Sequence, residues 1–195
     1  MKARAISLAW FLGVLMIPII WLMSLHLTIN VTPSMPIGFY RFYPIDRPLA
    51  RGDIVRICAP SEVARLMAGE GRGMRGTCPY QTAPLLKFVA ALPGDVVDVS
   101  DEAVIVNGTA LPGSAVPALH KGGPPRISRG RYVLGPGRIW LWTPYYRSLD
   151  SRYFGAVRAA DVQGFARPAL TGGSWADWAG GMRSLASIPP HGKKK

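Results

Sequence analysis

Asn30-Val31-Thr32-Pro33-Ser34-Met35-Pro36-Ile37-Gly38-Phe39-Tyr40 is the stretch that decides how this chain reads. It holds one serine between two prolines, and proline fixes its own φ and stiffens the backbone around it. A stiff, extended segment presents the Ser34 hydroxyl at a set angle. It also leaves backbone N–H groups, including that of Ser34, free to face a developing oxyanion, where one donor is worth about 3 kcal/mol. Thr32 puts a second hydroxyl two residues away, on the same side of an extended chain. The plain alternative is a turn shaped by Ser and Pro.

Immediately upstream lies the one long apolar run, Ala5 to Leu25, and no Lys, Arg, Asp or Glu occurs between Arg4 and Arg41. A hydrocarbon core of about 30 Å needs about 20 helical residues, so the run is long enough to cross a bilayer. No clear small-x-small cleavage site follows it, which favours an uncleaved anchor over a removed signal peptide. Lys2 and Arg4 place the N-terminus on the cytoplasmic side. The expected organisation is a cytoplasmic N-terminus (1–4), a transmembrane anchor (5–27), an extracytoplasmic β-rich domain (28–168) and a flexible basic tail (169–195). The expected location is the cytoplasmic membrane, single-pass, with the domain on the periplasmic side.

The chain has 195 residues and a formal net charge of +12, enough for one modest core with appendages. Its basic residues are scattered and match no nucleic-acid motif, so acidic lipid headgroups are a better partner than nucleic acid. Twenty-two glycines and 18 prolines suit a turn-rich β protein. Strand patterns recur at Ile54–Ile57, Leu85 to Leu92, VVDV and AVIV before Asn107-Gly108, Arg131–Leu134 and Arg138–Trp142, with one short helical pattern at SEVARLMAGE. After Phe165 the pattern fades. Neither cysteine has metal-ligating spacing, and no cofactor is called for. In an oxidising compartment Cys58 and Cys78 would pair, which is worth about 3 kcal/mol in the chain-entropy model; two buried thiols are the alternative.

A serine hydroxyl is a weak nucleophile until a base takes its proton. His26, His120 and His191 lie in or beside the apolar run, in a loop and in the tail, so a Ser-His-Asp triad fits poorly. Lys87 stands alone within Leu85-Leu86-Lys87-Phe88-Val89, and apart from it no charged residue occurs between Arg75 and Asp95. An ammonium denied water loses its proton more easily, which would turn Lys87 into a base near neutral pH. The alternative is an edge-strand lysine with its head in water. A third stretch, Ser148-Leu149-Asp150-Ser151-Arg152-Tyr153-Phe154-Gly155, reads as a charged turn when taken alone.

Together these stretches resemble type I signal peptidases. Four blocks occur in the order of that family: Ser34-Met35-Pro36, Arg51-Gly52-Asp53-Ile54-Val55, Lys87-Phe88-Val89 running into Leu92-Pro93-Gly94-Asp95, and Asp150-Ser151-Arg152-Tyr153-Phe154-Gly155. The fuller pattern Asn30-x-Thr32-x-Ser34-x-Pro36-x-Gly38-x-Tyr40 is similar to the TraF-type branch, the conjugative-transfer peptidases that mature pilin precursors. The resemblance implies a mainly β fold behind one N-terminal transmembrane helix. It implies that Ser34 is the nucleophile and Lys87 the general base, that Thr32 assists the oxyanion hole, that Ser148 orients the lysine, and that Asp150 and Arg152 brace the region, with Asp150 needed for activity. Thr143-Pro144-Tyr145-Tyr146-Arg147 departs from the Gly-Asp-Asn-Arg usual in signal peptidases, which favours the specialised branch. The implied activity is cleavage of leader segments from exported, pilin-like precursors, with cyclisation where the acceptor is the product's own amine. The rival reading is a non-catalytic, membrane-anchored β module of a secretion channel.

Overall fold

The computed structural model describes residues 13–14, 16–18, 27–69, 71, 74–115, 127–172 and 176–190. The expected transmembrane anchor lies mostly outside the described residues, and no described helix is long and apolar enough to cross a membrane. The fold is mainly β, with eleven strands in two antiparallel sheets among the described residues.

The strands are β1 (Leu27–Asn30), β2 (Gly38–Tyr43), β3 (Ile54–Ile57), β4 (Leu85–Ala91), β5 (Val96–Val99), β6 (Val104–Val106), β7 (Thr109–Ala110), β8 (Gly130–Val133), β9 (Arg138–Trp142), β10 (Val157–Arg158) and β11 (Val162–Thr171). The larger sheet runs β1-β2-β11-β3-β4-β9-β10 and the smaller β7-β6-β5-β8. Among the described residues after β1, three α-helices occur: α1 (Ser61–Gly69), α2 (Ser151–Phe154) and α3 (Ala176–Ser187).

Local chemistry explains most of these elements. Asn107 and Gly108 both take positive φ, 48° and 84°, as a tight hairpin between β6 and β7 requires. Apart from Lys87, β4 is apolar along its length because it lies inside the sheet, between β3 and β9, and covers core on both faces. Leu86, Phe88 and Ala90 enter the core that holds Trp140, Trp142, Met35 and Tyr40. Val89 enters the opposite core with Val55, Leu141 and Phe165. The Arg51-Gly52-Asp53 turn clasps this strand: Gly52 N–H donates to Val89 O at 2.8 Å, and Val89 N–H donates to Asp53 O at 2.9 Å.

The strands expected at Arg131–Leu134 and Arg138–Trp142 both form, in different sheets, β8 beside β5 and β9 beside β4. One region differs from the sequence expectation. The chain after Phe165 does not fade. β11 continues to Thr171, bulging at Pro168 where its partner β3 has already ended, and α3 then returns to the core with Leu185 and Ile188 buried. Trp178, on α3, packs against Phe88 at 6.3 Å between ring centroids.

Gly38, at φ 145°, lets β11 pass close to β2 just after the Ser34 stretch; a Cβ there would lie 2.3 Å from Leu170 O. Gly38→Ala is therefore expected to cost about 1–3 kcal/mol through a forced backbone shift, read as a lower denaturant midpoint at unchanged slope.

Candidate active site

The Ser34 segment is held from below by one buried amide. Asn30, at the end of β1, donates through Nδ2 to the carbonyls of Thr32 (2.9 Å), Met35 (2.8 Å) and Pro36 (3.2 Å). Only the NH₂ end of an amide can donate, so these three bonds fix which way Asn30 points. Its Oδ1 accepts from Thr32 N (3.3 Å) and from Thr32 Oγ1 (2.9 Å). Tyr40 OH, on β2, donates to Pro36 O at 2.7 Å from a core position where burial pushes its own pKa up.

Thr32 Oγ1 and Ser34 Oγ lie 3.0 Å apart. Each hydroxyl has one proton, and that of Thr32 goes to Asn30 Oδ1. The proton between the two hydroxyls is then that of Ser34, donated to Thr32. Ser34 is partly exposed, and its neighbour Met35 is fully buried. Ser34 thus sits at the wet end of a segment whose other end is anchored in the core.

Lys87 lies opposite Val55 on the interior strand β4 and is 1% exposed. The edge-strand alternative is excluded. Burial pushes its amine down from 10.5 to about 8; the Asp150 carboxylate opposes this and the Arg152 guanidinium adds to it. No described residue hydrogen-bonds the amine, and no hydrogen bond joins it to Ser34 in this structure.

Asp150 and Arg152 form a fully buried pair, both at 0% exposure. Arg152 donates to Asp150 through Nε (2.8 Å) and Nη2 (2.8 Å), and its remaining N–H groups reach the carbonyls of Gly113, Ala115, Thr143 and Tyr145. Asp150 also caps α2, accepting from Arg152 N at 3.1 Å. The stretch read as a surface turn is therefore a buried tie between three parts of the chain. Beside it, the hydroxyls of Ser148 and Thr143 are buried with no hydrogen-bond partner.

The remaining blocks have architectural roles. Arg51 pairs with Asp95 at 2.5 Å, and Asp95 accepts from Leu92 N and Asn107 Nδ2. This fixes the turn by which β4 leaves the sheet. Cys58 and Cys78 are joined in a disulfide that closes a separation of 20 residues. A cavity of about 310 Å³ lies between the segment from Thr28 to Ser34 and the segment from Ala83 to Leu86, with Arg56, Met67 and residues 74–77 as its far wall.

A family model for signal peptidase, peptidase S26, matches residues 2–170. The chain belongs to the peptidase S26 signal peptidase family. Relatives agree. The conjugal transfer protein TraF of Agrobacterium tumefaciens (strain 15955) is 38% identical over 144 residues, covering 73% of this chain and 81% of that one. A probable conjugal transfer protein TraF of Sinorhizobium fredii (strain NBRC 101917 / NGR234) is 38% identical over 167 residues, covering 85% and 81%. A plasmid transfer protein TraF of Escherichia coli is 35% identical over 148 residues, covering 73% and 82%. A solved signal peptidase I from Enterococcus faecalis V583 is 21% identical, covers 61% of this chain and 97% of its own, and superposes at a TM-score of 0.36. Membership in peptidase S26 supports a serine peptidase.

Sequence reasoning quoted Asn30 and Tyr40 within the pattern but gave them no role. The spacing of Asn30 to the serine was the available signal, since a short amide four residues before a Pro-flanked Ser can bond back to that loop.

Two measurements check this geometry. Asp150→Asn leaves Arg152 buried without its counter-charge and is expected to cost about 3–5 kcal/mol in equilibrium unfolding. Lys87→Met removes a buried amine whose native pKa, about 8, lies below its unfolded 10.5. Between those values the unfolded chain holds one proton more than the native one, so stability rises with pH by about 1.4 kcal/mol per unit. Below about 8 the full deficit, on the order of 3 kcal/mol, remains. Lys87→Met is therefore expected to be more stable than the parent at pH 7 and to lose that alkaline rise.

Proposed function

We propose that the protein is a membrane-anchored endopeptidase of the Ser/Lys type that cleaves leader segments from exported precursors, with Ser34 as nucleophile and Lys87 as general base. The observation that carries this is Lys87 itself. An amine with 1% exposure on an interior strand, with no hydrogen-bonded counter-ion among the described residues, has no architectural use that Leu would not serve better.

In the reaction the Ser34 hydroxyl turns from Thr32 toward Lys87. Its proton passes to Nζ as Oγ bonds to the scissile carbonyl carbon, and the carbonyl becomes an oxyanion facing the Ser34 N–H. The scissile C–N bond then breaks and the Lys87 ammonium returns the proton to the leaving amine. Water, or an amine of the substrate itself, releases the acyl group; an internal amine gives a cyclic product. Thr32 reaches the oxyanion only by letting go of Asn30. Ser148, buried without a partner, is the hydroxyl on hand to orient the amine. Asp150 and Arg152 keep that hydroxyl in place.

The surface around Ser34 suits a bilayer. Ile29, Phe39 and Leu170 are register neighbours across β1, β2 and β11, and they join Val31 and Ile37 in an exposed apolar patch, with Leu170 71% exposed. Arg41 and Arg167, the next outward-facing pair, flank the ring of Tyr43 beside this patch. This order fits a domain resting on the outer face of the cytoplasmic membrane beneath its anchor. β1 is an edge strand, so an extended substrate segment entering the cavity would pair with it. The relatives named for conjugal and plasmid transfer make pilin-like subunits the first substrates to try.

Ser34→Ala and Lys87→Ala are each expected to abolish processing of a co-expressed pilin-like precursor, followed by intact mass, while the protein stays folded and inserted. Unimpaired processing by both variants would leave the non-catalytic module as the better reading. For the parent, kcat/KM is expected to rise with pH and level off above about 8, as the free amine accumulates.

A further inference from the structure

The far wall of the cavity beside Ser34 is basic. Arg56 on β3 and Arg75 both line it, and among the described residues no carboxylate pairs with either. Arg56 is the register partner of Leu86, and both line the cavity together with Ser34.

Arg56 is not a loose surface charge. Its guanidinium stacks over the Phe42 ring at 4.8 Å from the centroid, and Nη2 donates to Thr77 Oγ1 at 3.2 Å. Its Nε is buried and has no hydrogen-bond partner. Phe42 and Thr77 line the same cavity. The wall carrying Thr77 and Arg75 is itself fixed: Gly76 N–H donates to Gln81 O (2.8 Å), Ala83 N–H donates to Met74 O (2.7 Å), Arg75 bridges to Thr82, and the Cys58–Cys78 disulfide ties the wall to the end of β3. A guanidinium held this way has lost its freedom before any ligand arrives, and its planar fork matches a carboxylate.

We propose that Arg56, assisted by Arg75, is a specificity-determining residue that selects substrates with a Glu or Asp side chain among the residues just before the cleaved bond. This rests on the reading of the Ser34 cavity as the place where the substrate strand lies. A carboxylate in the cavity would complete the donors of a guanidinium already in position. A lysine there would meet two uncompensated cations.

The test uses the full chain in detergent micelles and a set of quenched, alanine-rich ten-residue peptides. Each peptide carries one Glu, Gln or Lys at one of the five positions before the cleaved bond. For the parent, Glu at one of these positions is expected to raise kcat/KM at least tenfold over Gln. Arg56→Gln should cut that preference to within twofold at an unchanged melting temperature, and Arg56→Glu should turn it toward Lys. The same peptides, labelled and bound to Ser34→Ala at low ionic strength, give a readout independent of cleavage. Cleavage without any Glu preference overturns the role of Arg56 and leaves the peptidase reading standing. Glu-selective binding that Arg56→Gln removes, without cleavage by the parent, supports Arg56 and overturns the peptidase reading. Neither binding nor cleavage overturns both.

Discussion

A primary amine kept from water on an interior strand is the constraint around which the rest of the domain is arranged. Lys87 lies between β3 and β9, both of which must stay paired to exclude solvent. The Arg51-Gly52-Asp53 turn grips the same strand two residues further on, and the Arg51–Asp95 pair fixes where that strand ends. Burial here works against stability and pushes the amine toward its neutral form. The surrounding sheet has to absorb a cost on the order of 3 kcal/mol that an aliphatic side chain would not impose.

The serine side of the site is organised by hydrogen bonding rather than by packing. A single amide, Asn30, gathers three carbonyls and one hydroxyl into a closed loop, and the direction of every proton in it follows from counting donors. In this resting arrangement the Ser34 proton points at Thr32. The bond is local, made within one short segment, and breaking it frees the Ser34 hydroxyl to turn.

Legibility in the sequence followed the range of the interactions. The β5–β6–β7 meander was readable because alternation and an Asn-Gly turn are local signals. β4 was readable because a run apolar on both faces has few other uses. β1 and β2 were not, since Leu27–Asn30 continues an apolar run and the prolines beyond it read as loop; the other partner of β2 is β11, more than 120 residues away. α3 was hidden in a Gly-rich segment whose apolar residues gain meaning only against Phe88 and Trp142. The blocks around Ser34 and Lys87 stood out as chemistry that composition does not explain. The buried pair Asp150–Arg152 looked like a surface turn because nothing local shows that four distant carbonyls would converge on one arginine. Its importance came from resemblance alone.

The Cys58–Cys78 bond makes residues 59–77 a closed circle sewn to the sheet at one seam. Cutting the chain at any one peptide bond inside that circle yields two polypeptides that still travel as one molecule, with the strand before the seam and the strand after it undisturbed. The segment can therefore be opened at one peptide bond without letting the two halves of the domain drift apart.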